Sequence, residues 1–289
     1  MDAKSILLVG MPDSGKSNYI GRVWGALGED NSSLFATEIP EDIIYIENLY
    51  GHLMGGQFAG RTDRGDYETP HQVTFKVAKK GEDNVSPTEI LVPDVNGELW
   101  KKAVQTYELP EKWMDKLQGA SSAMLFIGIM SKENKFPMDW VSARSLLSIH
   151  DPKNIDIEAI PTQVALCELL RFIEFGMGQP IDGELPKVAI MVTAWDRLDA
   201  KTSTNGPMAY LKQEFPLFHG KILGSGNLNI KTFGVSLVGG DLEVDKDFKE
   251  KFLEGQIEGT GYVCIENEKG GAERVHLTEP IAWLISEDG

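Results

Sequence analysis

Residues 5–24, SILLVGMPDSGKSNYIGRVW, decide the fold of this chain. The apolar run at 5–10 has the length and composition of a buried strand, and residues 17–27 are spaced as a helix that closes near Gly28. A strand that passes through a glycine-containing turn into a helix points backbone N–H groups and the positive end of the helix dipole at one centre. The stretch therefore predicts a phosphate-binding loop.

Residues 10–17 match the pattern G-x-x-x-x-G-K-[ST] of nucleotide phosphate-binding loops. Lys16 is the first catalytic candidate, because its compact cation can neutralise charge on the β- and γ-phosphates, and the hydroxyl of Ser17 can bind Mg²⁺. Groups of the loop and of the helix start are expected to complete the cradle, and they belong to Asp13, Ser14, Gly15, Lys16, Ser17 and Asn18. We therefore expect a nucleoside triphosphate and Mg²⁺ as cofactors.

The composition limits the partners and the compartment. The 289 residues carry a formal net charge of −16 without a basic cluster, so neither nucleic acid nor a membrane surface is expected as a partner. Cys167 and Cys264 lie in apolar contexts and predict neither a disulfide framework nor a metal site. Because the sequence shows no secretion signal and no run of about 18 apolar residues, we expect a reducing, cytoplasmic environment.

Strand-like and helix-like segments alternate, which predicts a mostly parallel sheet with helices on both faces. With the phosphate-binding loop, this pattern indicates an α/β, three-layer P-loop NTPase fold. Segments 71–78 and 88–95 predict one antiparallel hairpin at the sheet edge. The length suits one enlarged domain over 1–289, with a helical insertion at about 131–182 and a loop-rich insertion at about 240–275.

Three further segments carry specific expectations. Residues 206–218, GPMAYLKQEFPLF, are expected to form one helix. The acidic segment 240–259 favours a solvated face, with an interaction surface as the alternative. The glycine-rich segment 51–66 predicts a mobile loop.

The end of the segment 187–196, KVAIMVTAWD, is the candidate site for the base, because ligands collect at strand ends in open α/β sheets. The carboxylate of Asp196 can accept hydrogen bonds from the ring N–H and the exocyclic amine of guanine, and adenine offers no such donor pair. The alternative is that Asp196 caps the next helix. Other candidate contacts with the nucleotide come from this motif and from the later segment VSLVGG, and they are Thr193, Trp195, Ser236 and Leu237.

A second motif, Asp94-Val95-Asn96-Gly97, follows the predicted hairpin. Asp94 can hold Mg²⁺ through water, and the N–H of Gly97 can meet the γ-phosphate. The alternative is a plain Asp-Asn-Gly turn. Glu98 is the next catalytic candidate, because it can accept a proton from water, but its charge repels the γ-phosphate. We therefore expect slow intrinsic turnover.

The glycine-rich loop is expected to carry a threonine that binds Mg²⁺ in the triphosphate state. Thr62 and Thr69 both qualify by position, and the sequence does not decide between them. Arg61 and Arg64 lie beside Thr62. An arginine delivered to the transferring phosphate raises the rate by about 10³–10⁵, which makes Arg61 a catalytic candidate. The alternative for each arginine is a solvated surface side chain.

The phosphate loop, the glycine-rich loop, DVNG, TAWD and VSLVGG together resemble the five signature elements of the translation-factor and Ras-like (TRAFAC) class of GTPases. More narrowly, GQFAGRT, VAIMVTAWDRLD and PIAWLI are similar to the bacterial double-GTPase family. The resemblance implies a GTP-hydrolysing regulatory module in a multi-protein bacterial conflict (antiviral) system. It also implies protein partners, such as another GTPase domain or an effector.

The chain departs from the class pattern at two motifs. Thr193 and Ala194 replace the usual Asn-Lys pair, so no lysine stem covers the base. Trp195 packs nearby in compensation or belongs to the core, and the sequence leaves both open. Glu98 replaces the usual water-orienting glutamine. Two alternatives to a switch therefore remain: a nucleotide-binding scaffold that does not hydrolyse, and an ATPase or small-molecule kinase.

Overall fold

A nine-stranded sheet runs through the part of the chain that the computed structural model describes, residues 4–59, 72–81, 87–93, 97–136, 160–177, 183–255, 260–267 and 271–286. The strands are β1 (Lys4–Val9), β2 (Leu34–Ala36), β3 (Gln72–Lys79), β4 (Thr88–Pro93), β5 (Ser122–Gly128), β6 (Lys187–Thr193), β7 (Asn229–Ser236), β8 (Tyr262–Glu266) and β9 (Ala272–Val275). The helices are α1 (Lys16–Leu27), α2 (Ile43–Met54), α3 (Gly97–Thr106), α4 (Glu111–Gln118), α5 (Thr162–Gly176), α6 (Ala200–Thr204), α7 (Pro207–Glu214), α8 (Pro216–Gly224), α9 (Lys246–Glu254) and α10 (Glu279–Ile285).

The centre of the sheet is parallel, in the order β4-β1-β5-β6-β7. The expected hairpin between β3 and β4 is present, with Phe75 opposite Ile90. Further antiparallel strands extend both edges, since β2 pairs with β3 and the β8–β9 hairpin follows β7. The α/β fold with a mostly parallel core is confirmed, and the outermost strands are additions that the sequence did not indicate.

Alternate residues of β1 show why the fold has three layers. Ile6 and Leu8 pack in the cluster that contains α1, α2 and α10, whereas Leu7 and Val9 pack in the cluster that contains α3, α5 and α8. Successive side chains of a strand point to opposite faces, so an unbroken apolar strand needs helices on both sides. Because helices cover both faces of the sheet, the strands that the sequence predicted as buried are continuous apolar runs.

Some segments differ from the sequence-based expectations. Residues 51–54 are the last turn of α2 and not part of a loop. The predicted single helix at 206–218 is two helices that meet at Phe215, because Pro216 lacks an N–H and disfavours helical geometry in the residue before it. The predicted loop-rich insertion at 240–275 contains α9 and the β8–β9 hairpin. Residues 137–159 and 178–182 of the predicted helical insertion lie outside the described residues.

Helices α1 and α2 approach closely where α1 carries two glycines. A Cβ added at Gly21 would lie 2.7 Å from the Cβ of Leu49, and one at Gly25 would lie 2.6 Å from the ring of Tyr50. The missing side chains therefore let the two backbones approach at this crossing. This packing fixes α2 against the helix that begins at the phosphate-binding loop.

We expect Gly21→Ala to lower the free energy of unfolding by about 1–3 kcal/mol, because overpacking at a backbone contact outweighs the gain in helix propensity. Chemical denaturation followed by circular dichroism measures the change. Gly51→Ala in α2 is the matched control, since no atom lies within 4 Å of its added Cβ. It should be neutral or stabilising by up to about 1 kcal/mol. Equal effects of the two substitutions would contradict the close crossing.

Candidate nucleotide-binding site

The phosphate-binding loop connects β1 to α1 and lies against the ends of β5 and β6. Gly15 has φ +91°, and a Cβ there would lie 3.2 Å from the side chain of Thr193 at the end of β6. Asp13 also adopts a left-handed conformation, with φ 62°, which costs about 1–3 kcal/mol for a residue with a side chain. The loop is thus held in a compact shape that its flanking strands impose.

The ammonium group of Lys16 folds back over this loop. Its Nζ donates to the carbonyl oxygens of Gly10 at 2.8 Å and Met11 at 2.9 Å, and to the Oγ of Ser14 at 3.2 Å. Lys16 is only 6% exposed, although a loop lysine is usually solvated. These bonds place the ammonium group over the centre of the loop. This geometry suits a phosphate group at the start of α1.

Thr193 joins the phosphate end of the site to the base end. Its Oγ1 donates to the carbonyl oxygen of Ser14 at 2.9 Å and lies 3.3 Å from that of Ile127. Its buried side chain therefore braces the loop, and a contact between Thr193 and the nucleotide stays a prediction. A threonine that replaces the usual asparagine can still tie β6 to the phosphate-binding loop.

Asp196 and Ser236 form the base end of the site. The hydroxyl of Ser236 lies beside the carboxyl group of Asp196, and its Oγ accepts from the N–H of Gly239 at 2.9 Å. Burial raises the pKa of Asp196 above its ordinary value, although the neighbouring Ser236 hydroxyl opposes this change. The ends of β6 and β7 therefore bring the half-buried carboxyl group of Asp196 next to the backbone turn that follows Ser236.

Gly97 brings the start of α3 onto the phosphate-binding loop. A Cβ at Gly97 would lie 2.5 Å from the nitrogen and 2.6 Å from the Cα of Pro12, so a larger residue would push the two segments apart. Glu98 follows in the first turn of the same helix. The predicted neighbourhood of Gly97, Glu98 and the loop is therefore present, and their contacts with a γ-phosphate stay predictions.

A protein-family model, Double-GTPase 1, matches residues 7–284, nearly the whole chain. The chain belongs to the Double-GTPase 1 family. Membership makes it a GTP-binding protein of the GTPase class, and it confirms the family that the motifs resemble. Among curated proteins, no match was found.

Three solved structures are among those similar to this Double-GTPase 1 protein. The small GTPase Arl6 BBS3 of Trypanosoma brucei, with a bound GppNp analogue, is 12% identical with a TM-score of 0.42, and the match covers 88% of this chain and 96% of that one. A bacterial selenocysteine-specific elongation factor, EF-Sec, is 16% identical with a TM-score of 0.37, covering 88% and 29%. Roco2 RocCORdC of Methanosarcina barkeri, bound to GDP, is 12% identical with a TM-score of 0.31, covering 90% and 52%. Because these scores lie below 0.5, the family assignment rests on the family match alone.

Trp195 of the Double-GTPase 1 protein is a core residue. Its ring is 0% exposed, lies over Gly234 of β7 and meets the ring of Tyr210 edge-to-face at 5.7 Å. The side chain therefore does not replace the missing lysine stem on the base. Only the backbone of Trp195 is left for the predicted nucleotide contact. Ala194 before it is left-handed, with φ 61°, and turns the chain so that Trp195 enters the core.

Asn18 has a role that the sequence did not indicate. Its Oδ1 accepts from the N–H of Ala59 at 2.8 Å, and its Nδ2 lies 3.5 Å from the carbonyl oxygen of the same residue. The side chain therefore ties α1 to the chain just after α2, directly beside the hydroxyl-bearing Ser17. Only the backbone of Asn18 remains for its predicted contact with a phosphate. In the sequence, the feature that could have pointed to this role is the asparagine directly after Lys16 and Ser17.

Several predicted site residues lie outside the described residues, and they are Arg61, Thr62, Arg64, Thr69 and Asp94. Within the described ranges, no three or more His, Cys, Asp or Glu side chains gather into a metal site of their own. Of the predicted Mg²⁺ ligands, Ser17 alone lies among the described residues, and its contact with the ion stays a prediction. No helix among the described residues is both long and apolar enough to cross a membrane.

Proposed function

We propose that this Double-GTPase 1 protein binds Mg²⁺-GTP and hydrolyses it to GDP and phosphate as a regulatory switch. One observation carries the proposal: Thr193, at the end of the strand that leads to Asp196, bonds the carbonyl oxygen of Ser14 and so joins that strand end to the loop over which the Lys16 ammonium lies. The phosphates lie at the start of α1, and the guanine edge meets Asp196. Its ring N–H and exocyclic amine both donate to the carboxylate, whereas adenine would leave that buried acceptor without donors.

The chain's own residues support in-line attack of water on the γ-phosphate. Lys16 and the N–H groups of the loop neutralise charge that builds on the leaving β–γ oxygen. Glu98 accepts the proton of the attacking water, and Arg61 adds positive charge at the transferring phosphate. Ser17, Asp94 and either Thr62 or Thr69 would hold Mg²⁺, which would supply Lewis-acid stabilisation of the phosphate oxygens.

A scaffold that binds nucleotide without hydrolysis is the second candidate function. Glu98 favours it, because this carboxylate lies in the first turn of the helix whose Gly97 rests on the phosphate-binding loop. A negative charge there repels the γ-phosphate when Glu98 stays ionised. The two functions therefore predict different effects on phosphate release when the charge of Glu98 is removed.

Single-turnover release of phosphate from bound GTP tests the proposal. We expect slow release from the wild type and a rate at least about tenfold lower for Glu98→Gln, since glutamine cannot accept the proton of the attacking water. Glu111→Gln, in the first turn of α4, is the matched control and should leave the rate unchanged. Absence of release from wild type, alone and with cell extract, would favour the scaffold.

We further propose that the switch acts on protein partners within a bacterial defence system, where another GTPase domain or an effector reads the nucleotide state. The family resemblance supports this placement. Affinity purification from cells, in GTP- and GDP-loaded forms, would detect partners that bind one form. Identical partner sets in both forms would contradict a switch.

A further inference from the structure

Arg22 of α1 is a buried cation that the nucleotide chemistry described above does not use. Its side chain is 1% exposed. The Nε–H donates to the carbonyl oxygen of Leu237 at 3.0 Å, and Nη2 donates to the Oε1 of Glu29 at 2.7 Å. Burying a guanidinium is costly unless it is paired and hydrogen-bonded, and these two bonds meet that need.

The partner of Arg22 is the first residue of the loop that follows β7. Leu237 comes directly after Ser236, whose hydroxyl lies beside the carboxyl group of Asp196. Ser236 itself is fixed by the pairing of β7 with β8, where it lies opposite Tyr262. The loop beyond Ser236 has no such ladder at Leu237, so the hydrogen bond from Arg22 fixes its carbonyl group instead.

Arg22 is anchored from its other side by a chain of polar groups. The Oε2 of Glu29 lies 3.0 Å from the Nε2 of His276, and the Nδ1 of that ring lies 2.8 Å from the Oγ1 of Thr278 at the start of α10. Burial raises the pKa of Glu29, but hydrogen bonds from Arg22 and His276 outweigh burial and hold that pKa below its ordinary value. Glu29 is therefore an anion that holds the guanidinium in place.

Arg22 lies on the same helix as Lys16 and Ser17, within about 10 Å of the phosphate-binding loop along a rigid rod that rises about 1.5 Å per residue. One helix thus carries the phosphate site at its start and a hydrogen bond to the base loop two turns later. Any displacement of this bond changes where the N–H groups after Ser236 point. In the proposed guanine nucleotide site, those groups meet the 6-position of the purine, where guanine has an acceptor and adenine a donor.

We propose that Arg22 is a positioning residue for purine selectivity, which it sets by fixing the Leu237 carbonyl and thus the loop that reads the 6-position of the base. The proposal rests on the proposed guanine nucleotide site. In this proposal, two parts of the site recognise different atoms of the base. Asp196 reads the ring N–H and the exocyclic amine, and the Arg22-supported loop reads the 6-position.

Binding of GDP, IDP and ADP to nucleotide-free protein tests this division, because IDP lacks only the exocyclic amine and ADP carries a donor at the 6-position. Arg22→Lys keeps a positive charge beside Glu29. A single ammonium group, however, cannot bind both the Glu29 carboxylate and the Leu237 carbonyl oxygen as the forked guanidinium does. We expect this variant to narrow the GDP-to-ADP affinity ratio by about tenfold, the effect of about one hydrogen bond, and to leave the GDP-to-IDP ratio unchanged.

Two companion variants control for general damage to the fold. Glu29→Gln keeps an acceptor for Arg22 but removes the anion that holds its guanidinium, so it should narrow the GDP-to-ADP ratio by less than Arg22→Lys does and leave the GDP-to-IDP ratio unchanged. Arg22→Met combined with Glu29→Gln removes the bond without leaving a buried charge, and should narrow the GDP-to-ADP ratio as Arg22→Lys does. A wild-type GDP-to-ADP ratio in Arg22→Lys would overturn the proposal. If the wild type itself does not prefer GDP to ADP, the proposed guanine site fails instead.

Discussion

Replacement of Lys16 by alanine lowers the affinity for GTP by about 100-fold or more, the largest effect expected for a single side chain of the phosphate-binding loop. The lysine offers charge-assisted hydrogen bonds, worth about 1.5–3 kcal/mol each, to phosphate oxygens that carry most of the ligand's charge. Isothermal titration calorimetry with GTP measures the loss. Lys201→Ala, which removes an exposed lysine of α6, should bind GTP as the wild type does.

Loss of charge must be separated from damage to the loop in this experiment. The Nζ of Lys16 also donates to the Gly10 and Met11 carbonyl oxygens, which alanine would leave without this donor. Lys16→Gln keeps an N–H₂ group that can reach those carbonyls but removes the charge. We expect Lys16→Gln to melt near the wild-type temperature and still to bind GTP poorly. Normal GTP affinity in Lys16→Gln would refute a phosphate-binding role for this lysine.

Replacement of Asp196 by asparagine should shift the base preference of the protein from guanine toward xanthine. Asparagine offers one acceptor and one donor, so it clashes with the exocyclic amine of guanine but suits xanthine, which has a carbonyl at that position. We expect GDP affinity to fall by about 100-fold or more, since two charge-assisted hydrogen bonds are lost, and XDP affinity to rise. Displacement of a fluorescent nucleotide by GDP, XDP and ADP measures both changes.

A matched control lies on the same segment. Asp199→Asn keeps the N-cap of α6, where the Asp199 side chain accepts from the N–H of Thr202, because asparagine caps helices equally well. It should leave the GDP and XDP affinities unchanged. An Asp196→Asn protein that kept its preference for GDP over XDP would show that the base does not meet this carboxyl group.

The same carboxyl group predicts a pH dependence of GDP binding. Burial raises the pKa of Asp196 in the folded protein, so the carboxyl group takes up a proton at a higher pH than an ordinary aspartate does. GDP affinity should therefore weaken as pH falls through that raised pKa, because only the carboxylate accepts both guanine donors. The free protein responds oppositely, since its stability from this group is lost as pH rises through the same pKa. Asp196→Asn should lose both dependences.

Short-range patterns account for the parts of the site that the sequence predicted. The glycine-lysine-serine turn after an apolar run specifies the phosphate-binding loop through local backbone geometry, and TAWD at the end of β6 specifies the base end because parallel strands finish at one edge. These features need no knowledge of distant contacts.

Distant contacts decided what the sequence left open or did not indicate. Trp195 lies in the core because Gly234, on a strand 39 positions later in the printed sequence, leaves room for its ring. The side chains of Asn18 and Arg22 act on Ala59 and Leu237, partners that no local pattern names.

The sequence by itself therefore determined that the chain folds around a phosphate-binding loop with a carboxylate at a neighbouring strand end. The alternation of side chains along a strand, the turns that contain glycine and the polar residues at strand ends can all be recognised from residues that are close in the chain. The tertiary structure alone decided which polar side chains brace that site and which belong to the core. Such partners are set by packing between elements, where the cost of an unpaired buried polar group selects one arrangement.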